Sequence, residues 1–250
     1  MLVDGESVGA VSRYTFETVR KNHTIEAEFR AVEKAPDTGV DRWLNTTDHM
    51  AYLNGYGTGL FGPDDHMTRA QTAQMFYNLL LDQEVSAAVR FTDVPADAWY
   101  ARAVETLASL GMVEGVGGGK FAPERTITRA EFTVMAMRFA RLPEGGENSL
   151  LRCDLLRLVL RPGGGAVQYG WITGYTDGTF RPEATITRAE VTAITNRLLD
   201  RAADEDYVDD HAGELRQFPD VSASYWAYHD IVEATNAHSY RVYDGEEHWM

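Results

Sequence analysis

Three segments of this chain repeat one pattern of apolar and polar positions. Counted from Thr68, Thr128 and Thr187, offset 7 holds Met75, Met135 and Ile194, and offset 11 holds Leu79, Phe139 and Leu198. Offset 2 holds Ala70, Ala130 and Ala189. Spacings of this kind put an apolar stripe on one face of a helix, and that stripe must pack on something. Each threonine also stands three residues ahead of Gln71, Glu131 or Glu190. This is the capping box, in which each side chain satisfies the other residue's backbone N–H. Three equal stripes predict a mainly α fold with a central bundle of three equivalent helices about a pseudo-threefold axis.

The pattern belongs to a longer block. Gly55-Tyr56, Phe61-Gly62-Pro63 and Met67-Thr68-Arg69-Ala70-Gln71 are followed by Gly115-Val116, Phe121-Ala122-Pro123 and Ile127-Thr128-Arg129-Ala130-Glu131. The third copy is Gly174-Tyr175, Phe180-Arg181-Pro182 and Ile186-Thr187-Arg188-Ala189-Glu190. The arginines recur at intervals of 60 and 59 residues. A fixed period of this size marks supersecondary units that bury their faces against one another. Ahead of the second block a further helix is predicted from Phe91-Thr92-Asp93-Val94 through Trp99, Ala103, Val104, Leu107 and Leu110, closed by Gly111. A matching start, Phe218-Pro219-Asp220-Val221 with Trp226, opens a last helical segment running to the chain end.

These signals divide the chain into repeat one (49–90), repeat two (91–142), repeat three (143–201, with a degenerate first half), an acidic connector (202–217) and a C-terminal half repeat (218–250). Residues 33–48, with Pro36-Asp37-Thr38-Gly39, read as a linker. Residues 1–32 contain Tyr14-Thr15-Phe16 and the alternating Thr24-Ile25-Glu26-Ala27-Glu28-Phe29, which predict strands. A lone hairpin is marginal in water, so this short β fragment reads as the remnant of a larger β domain. The stretch Leu150–Arg161 with Pro162-Gly163-Gly164-Gly165 reads either as a divergent helix or as a segment out of frame.

Hydrophobic residues make up 44% of the 250 positions and charged ones 24%, as in an ordinary globular protein. The net charge of −15 argues against a nucleic-acid partner, which calls for a basic face. No apolar run reaches the ~18 residues that span a bilayer. The single cysteine, Cys153, excludes an intrachain disulfide and reads as a buried or incidental thiol. There is no G-x-S-x-G, no H-E-x-x-H and no phosphate loop: Gly115-Val116-Gly117-Gly118-Gly119-Lys120 leads into Phe121 where a Ser or Thr is required. Glu246-Glu247-His248 could bind a metal, but a metal site needs three or four ligands in fixed geometry, and the bland reading is preferred. No catalytic residue, cofactor or metal is therefore expected.

One feature breaks a local rule. Arg69, Arg129 and Arg188 sit at the first helical position, where a cation costs ~0.3–1 kcal/mol against the macrodipole. Two readings stay open. An arginine beside free N-terminal amides makes a bidentate site for a carboxylate or phosphate. Alternatively each arginine pairs with a nearby carboxylate such as Asp65 or Glu183. On the first reading, removing the arginine weakens anion binding and leaves the fold intact.

The pattern F-x-D-V … W … G-Y-x-D-G-x-F-x-P … I-T-R-A-E resembles that of bacterial S-layer homology (SLH) domains. The resemblance covers about 49 to 240, and Gly170 through Glu190 follow the pattern almost letter for letter. Repeat one lacks F-x-D-V, and Trp43 and Leu44 stand where its first helix should begin. Repeat two has Val116-Gly117-Gly118-Gly119 in place of Tyr-x-Asp-Gly. The resemblance implies a three-pronged pseudo-trimer, exported and attached to the cell wall or cell surface. Its inter-repeat grooves would bind secondary cell-wall polysaccharide, a peptidoglycan-linked glycan often carrying pyruvate ketals. It also implies ligand-binding roles for Arg69, Arg129, Arg188, Asp93, Trp99, Asp220 and Trp226. Self-association in a surface layer, or service as the anchor of a wall hydrolase, are the competing expectations.

Overall fold

The computed structural model describes residues 2–7, 15–16, 19–26, 37–140, 166, 169–175, 177–243 and 246–250. Cys153, the Leu150–Gly165 stretch, Tyr14 and Ala27–Phe29 lie outside the described residues. The chain forms two compact units, Met1–Ala35 and Pro36–Met250. In the first, β1 (Leu2–Val3) pairs antiparallel with β2 (Glu6–Ser7) and with β3 (Ile25–Glu26). Asp4 ties the turn by accepting from the Thr24 N–H at 3.0 Å.

The second unit is mainly helical. Among its described residues the α-helices are α1 (Arg69–Leu79), α2 (Ala101–Ser109), α3 (Arg129–Met137), α4 (Arg188–Leu199), α5 (Glu205–Asp210) and α6 (Tyr228–Thr235). Thr68, Thr128 and Thr187 each accept from the N–H of the residue three further on. Gln71, Glu131 and Glu190 return the bond to the threonine N–H at 2.9, 3.2 and 3.0 Å. These reciprocal bonds fix α1, α3 and α4 in register at the same point of each repeat.

A capping box satisfies only part of a helix start, which carries four orphan amides. Here the rest go to the next repeat. Arg69 N–H donates to Arg125 O, Arg129 N–H to Ala184 O and Arg188 N–H to Asp65 O, all at 2.9 Å. The following alanines repeat the scheme: Ala70 to Pro123 O, Ala130 to Pro182 O and Ala189 to Pro63 O. Just before the caps, Ile127 N–H reaches Met67 O, Ile186 N–H reaches Ile127 O and Met67 N–H reaches Ile186 O. From donor to acceptor the first two sets run one, two, three and back to one, and the third runs the opposite way round, so the bonding closes on itself.

The helix faces meet in one core. Phe76 of α1 stacks on Phe132 of α3 and on Phe139, with ring centroids 5.8 and 4.8 Å apart. Thr195 of α4 lies 3.8 Å from the Met75 sulfur. Helix α2 packs on α1, and α6 packs on α4.

Repeat one has no first helix of its own. A single 3₁₀ turn, Val40–Arg42, precedes Trp43 and Leu44. Residues 218–235 supply what is missing. Phe91 packs beside Gly115 and meets Phe121 at 5.4 Å, while Asp93 accepts from the Phe121 and Ala122 N–H groups. Phe218 packs beside Gly55 and meets Phe61 at 5.3 Å, while Asp220 accepts from the Phe61 and Gly62 N–H groups. The late segment thus does for repeat one what its counterpart does for repeat two.

Two expectations need correction. The last segment is not helical to its end. After α6 the chain forms an antiparallel hairpin, β4 (Tyr240–Tyr243) with β5 (Glu246–Trp249), because Tyr240, Val242 and Tyr243 favour strand. The acidic connector contains α5, whose start is capped by Asp204 accepting from the Tyr207 N–H and whose Val208 is buried.

The residue after the motif phenylalanine has positive φ in all three repeats: 68° at Gly62, 58° at Ala122 and 54° at Arg181. Only Gly62 also lacks room, since a Cβ there would meet the Asp65 carboxylate and the Tyr56 ring. Gly62→Ala is expected to cost about 2–3 kcal/mol, combining left-handed strain with a clash. Ala122→Gly at the equivalent position is expected to cost nothing or to stabilise. Denaturant midpoints of the two variants check this.

Candidate functional site

The motif arginines are where the repeats join. Arg69, Arg129 and Arg188 are 5, 4 and 4% exposed. Arg69 Nε donates to Phe121 O at 2.8 Å and Nη2 to Glu114 O at 2.6 Å. Arg129 Nε donates to Phe180 O at 3.0 Å and Nη2 to Thr173 O at 3.4 Å. Arg188 Nε donates to Phe61 O at 2.9 Å and Nη2 to Asn54 O at 3.0 Å. The guanidinium groups lie 4.5 Å over Phe121, 4.7 Å over Tyr175 and 4.6 Å over Phe61, respectively. Burial pushes Arg188 below its usual value, against the opposing attraction of Tyr56, Asp65 and Asp220.

This geometry corrects the local reading of these positions. The N-terminal amides beside the arginines are not free, because the next repeat's turn takes them. The rule-breaking cation at the helix start is held by carbonyls across the repeat boundary. Arg129 does meet a carboxylate, Glu190 Oε1 at 3.0 Å, which is the capping residue of the next repeat rather than Asp65 or Glu183. Gln71 occupies the same capping position in repeat one.

Arg69 and Arg129 each line a cleft between repeats. One cleft lies between Arg69, Met112–Gly115, Glu131, Met135 and Arg138. A second lies between Arg129, Thr173–Tyr175, Glu190, Ile194, Arg197 and Trp226. The second holds about 270 Å³ and the first about 40 Å³, so the second is the roomier. In the second, Tyr175 donates to Glu190 Oε1 at 2.7 Å, and the Trp226 indole stands 60% exposed. Trp226 stays exposed although residues 218–235 pack onto the body. It precedes α6 on the outer side, and Phe218, Val221, Tyr228 and Ile231 are among the buried residues of that segment. Trp99, its equivalent in repeat two, is 62% exposed and stacks edge-on against Tyr100.

Asp93 and Asp220 stand over the turns rather than in the clefts. Asp93 accepts from Phe121 and Ala122 at 2.7 and 2.8 Å, and Asp220 from Phe61 and Gly62 at 3.0 and 2.7 Å. Burial acts to raise both carboxyls, but the paired N–H bonds outweigh it and hold them below the usual 3.8. Arg138 and Arg197 were not singled out in the sequence. Both fall nine residues after a motif arginine, where repeat one has Asn78. Following only apolar offsets passes over them; following charged offsets would have found them.

Comparison with known proteins accords with this architecture. The model of the S-layer homology domain matches residues 51–73, 90–133 and 165–192. The chain belongs to the S-layer homology domain family. It is 33% identical over 222 residues to a cellulosome-anchoring protein of Acetivibrio thermocellus, covering 83% of this chain and 47% of that protein. It is 34% identical over 217 residues to cell surface glycoprotein 1 of the same organism, covering 81% of this chain and 9% of that one. An amylopullulanase of Thermoanaerobacterium thermosulfurigenes is 30% identical over 213 residues, covering 79% and 11%. The chain therefore spans less than half the length of these relatives. Among the described residues no helix is long and apolar enough to cross a membrane.

In these SLH repeats the buried arginine is a structural cation. Arg188→Ala is expected to cost about 2–4 kcal/mol, because it strands two carbonyls and leaves a cavity. A chemical melt showing no loss would contradict this assignment.

The turn aspartates give the SLH body an acid limit. Their folded values are depressed, so the stability they contribute is complete above 3.8 and is lost as pH falls below it through the folded values. Asp93→Asn is expected to lower stability at neutral pH and to flatten the loss on acidification between roughly pH 5 and pH 2. Thermal melts over that range measure both effects.

Proposed function

We propose that this chain is a non-catalytic module that anchors a protein to the bacterial cell surface, outside the cell, by binding an anionic cell-wall glycan between its SLH repeats. The ligand class is secondary cell-wall polysaccharide, with carboxylate-bearing substituents such as pyruvate ketals. The observation that carries this reading is the second cleft. It combines an exposed indole, a tyrosine and the Arg197 side chain over a buried cation, Arg129, whose charge is fixed by the fold. An aromatic face suits the apolar face of a sugar ring, and a guanidinium suits its carboxylate. A local site of this kind is compatible with a net charge of −15.

The closed cycle of backbone bonds supports a pseudo-threefold array with α1, α3 and α4 as its central bundle. On that reading repeat one spans 49–90, repeat two 91–142 and repeat three 143–201, with 218–250 completing repeat one. Residues 1–32 are the remnant of a further β domain. The motif arginines then act on the ligand from behind, as a fixed positive floor, while Trp99, Trp226, Arg138 and Arg197 make the outer contacts. The named relatives include an anchoring protein and an amylopullulanase, which supports attachment of such modules to wall-bound assemblies or enzymes.

Sedimentation with purified cell wall tests the proposal. The chain should co-sediment with intact wall and not with wall stripped of its polysaccharide. Trp226→Ala with Arg197→Ala should weaken binding by about 1.5–3 kcal/mol with the melting temperature unchanged, since both side chains lie outside the core. Equal binding to stripped wall, or concentration-dependent assembly without wall, would favour self-association in a surface layer.

A further inference from the structure

Apart from the clefts, four side chains from distant parts of the chain converge at the C-terminal end of the SLH body. They are His49, Glu233 of α6, His238 after it and Glu247 of β5. One ligand-type atom from each lies within 4.8 Å of all the others. His49 Nδ1 is 2.9 Å from His238 Nε2, 3.4 Å from Glu233 Oε1 and 3.4 Å from Glu247 Oε2. His238 Nε2 is 3.4 Å from Glu233 Oε2. A tetrahedral ion with bonds of about 2.0–2.1 Å separates its ligand atoms by about 3.3 Å, and these four separations of 2.9–3.4 Å lie near it, within a set that spans up to 4.8 Å.

The cluster is otherwise hard to account for. Glu233 is fully buried, and neither of its carboxylate oxygens receives a hydrogen bond from the described residues. Glu247 Oε2 is in the same condition. A buried carboxylate without donors is costly, and two facing the same point are costlier still. Arg201 attracts both carboxylates, but it directs its Nη donors to the Met50, Asn45 and Asp48 carbonyls.

We propose that His49, Glu233, His238 and Glu247 form a structural site for one divalent transition-metal ion of the zinc class. Two neutral imidazoles and two carboxylates match the charge and donor preference of such an ion. The surroundings orient the ligands. The His238 Nδ1 sits 3.2 Å from the Asn236 carbonyl, which accepts a hydrogen bond from Nδ1–H and leaves Nε2 as the lone-pair donor facing the cluster. His238 stacks on Trp249 at 3.6 Å and His49 on Tyr240 at 3.9 Å, so both rings are held in place. An open cleft lined by Thr47, His49, His238 and Met250 gives an ion access. Four protein ligands fill a tetrahedral shell and leave no open position, which assigns a structural rather than a catalytic role. The ion would tie the start of repeat one to α6 and the terminal hairpin. This inference rests on that geometry and is independent of glycan binding.

Tag-free full-length chain, stripped with chelator and dialysed, provides the test. On titration with Zn²⁺ it should bind one equivalent per chain by calorimetry and elemental analysis, with a higher melting temperature. With Co²⁺ it should give the intense visible bands of a four-coordinate ion. Ca²⁺ and Mg²⁺, which prefer six or more oxygen ligands, should not substitute. His238→Gln and Glu247→Gln should each weaken Zn²⁺ binding at least about tenfold. His229→Ala, a surface histidine beside Asp209 and Glu205, should leave it unchanged. Wild-type chain that binds no Zn²⁺ and shows no thermal shift would overturn the proposal, whatever the variants do. So would loss of binding in His229→Ala with retention in His238→Gln.

Discussion

The start of each motif helix exposes more hydrogen-bonding groups than its own repeat can satisfy. The capping box takes two amides, and the N–H groups of Arg69 and Ala70 still need acceptors, as do those of Arg129 and Ala130 and of Arg188 and Ala189. The turn of the following repeat provides them, from Pro123 and Arg125, Pro182 and Ala184, and Pro63 and Asp65. No repeat is complete alone. The requirement passes from one to two to three, and it ends only when repeat three finds repeat one.

The buried arginines follow the same logic. A cation at a helix start is unfavourable where water surrounds it, and burial adds a desolvation cost. Two carbonyls and an aromatic face compensate at each site, and all of them come from the next repeat. The arginine therefore reports whether the neighbour is docked. Its placement also shapes the cleft, because the chain that offers carbonyls to Arg129, around Thr173–Tyr175, forms one wall and the face of α4 forms the other. Cohesion between repeats and concavity for a ligand share one set of contacts.

Closure also depends on the chain after repeat three. Repeat one begins with a 3₁₀ turn where repeat two has Phe91, Asp93 and α2. Phe218 and Asp220 fill that position from more than 150 residues away in sequence. Beyond them, α6 and the terminal hairpin bring Glu233, His238 and Glu247 to His49, so the end of the chain is fastened beside the start of repeat one.

Much of this was legible in the sequence. The threonine-anchored stripes locate α1, α3 and α4, because helix periodicity and capping are local properties that recur at equal offsets. The pairing of Phe218-Pro219-Asp220-Val221 with Phe91-Thr92-Asp93-Val94 was visible for the same reason. Other features were not legible. The hairpin at 240–249 was read as helix, because the apolar period of the preceding segment was carried past Thr235. The arginines read either as an anion site or as partners of a nearby carboxylate, because nothing local to Thr-Arg-Ala-Glu reveals the carbonyls that the next repeat brings to them. Glu246-Glu247-His248 gave no sign of the cluster around Glu247, since two histidines and a second glutamate arrive from other elements. The sequence by itself determined which residues begin helices and which faces are apolar, since those depend on neighbours within a turn or two. Tertiary structure alone decided what each buried charge meets, because a guanidinium or a carboxylate is satisfied by whichever backbone or side chain the closed cycle brings against it.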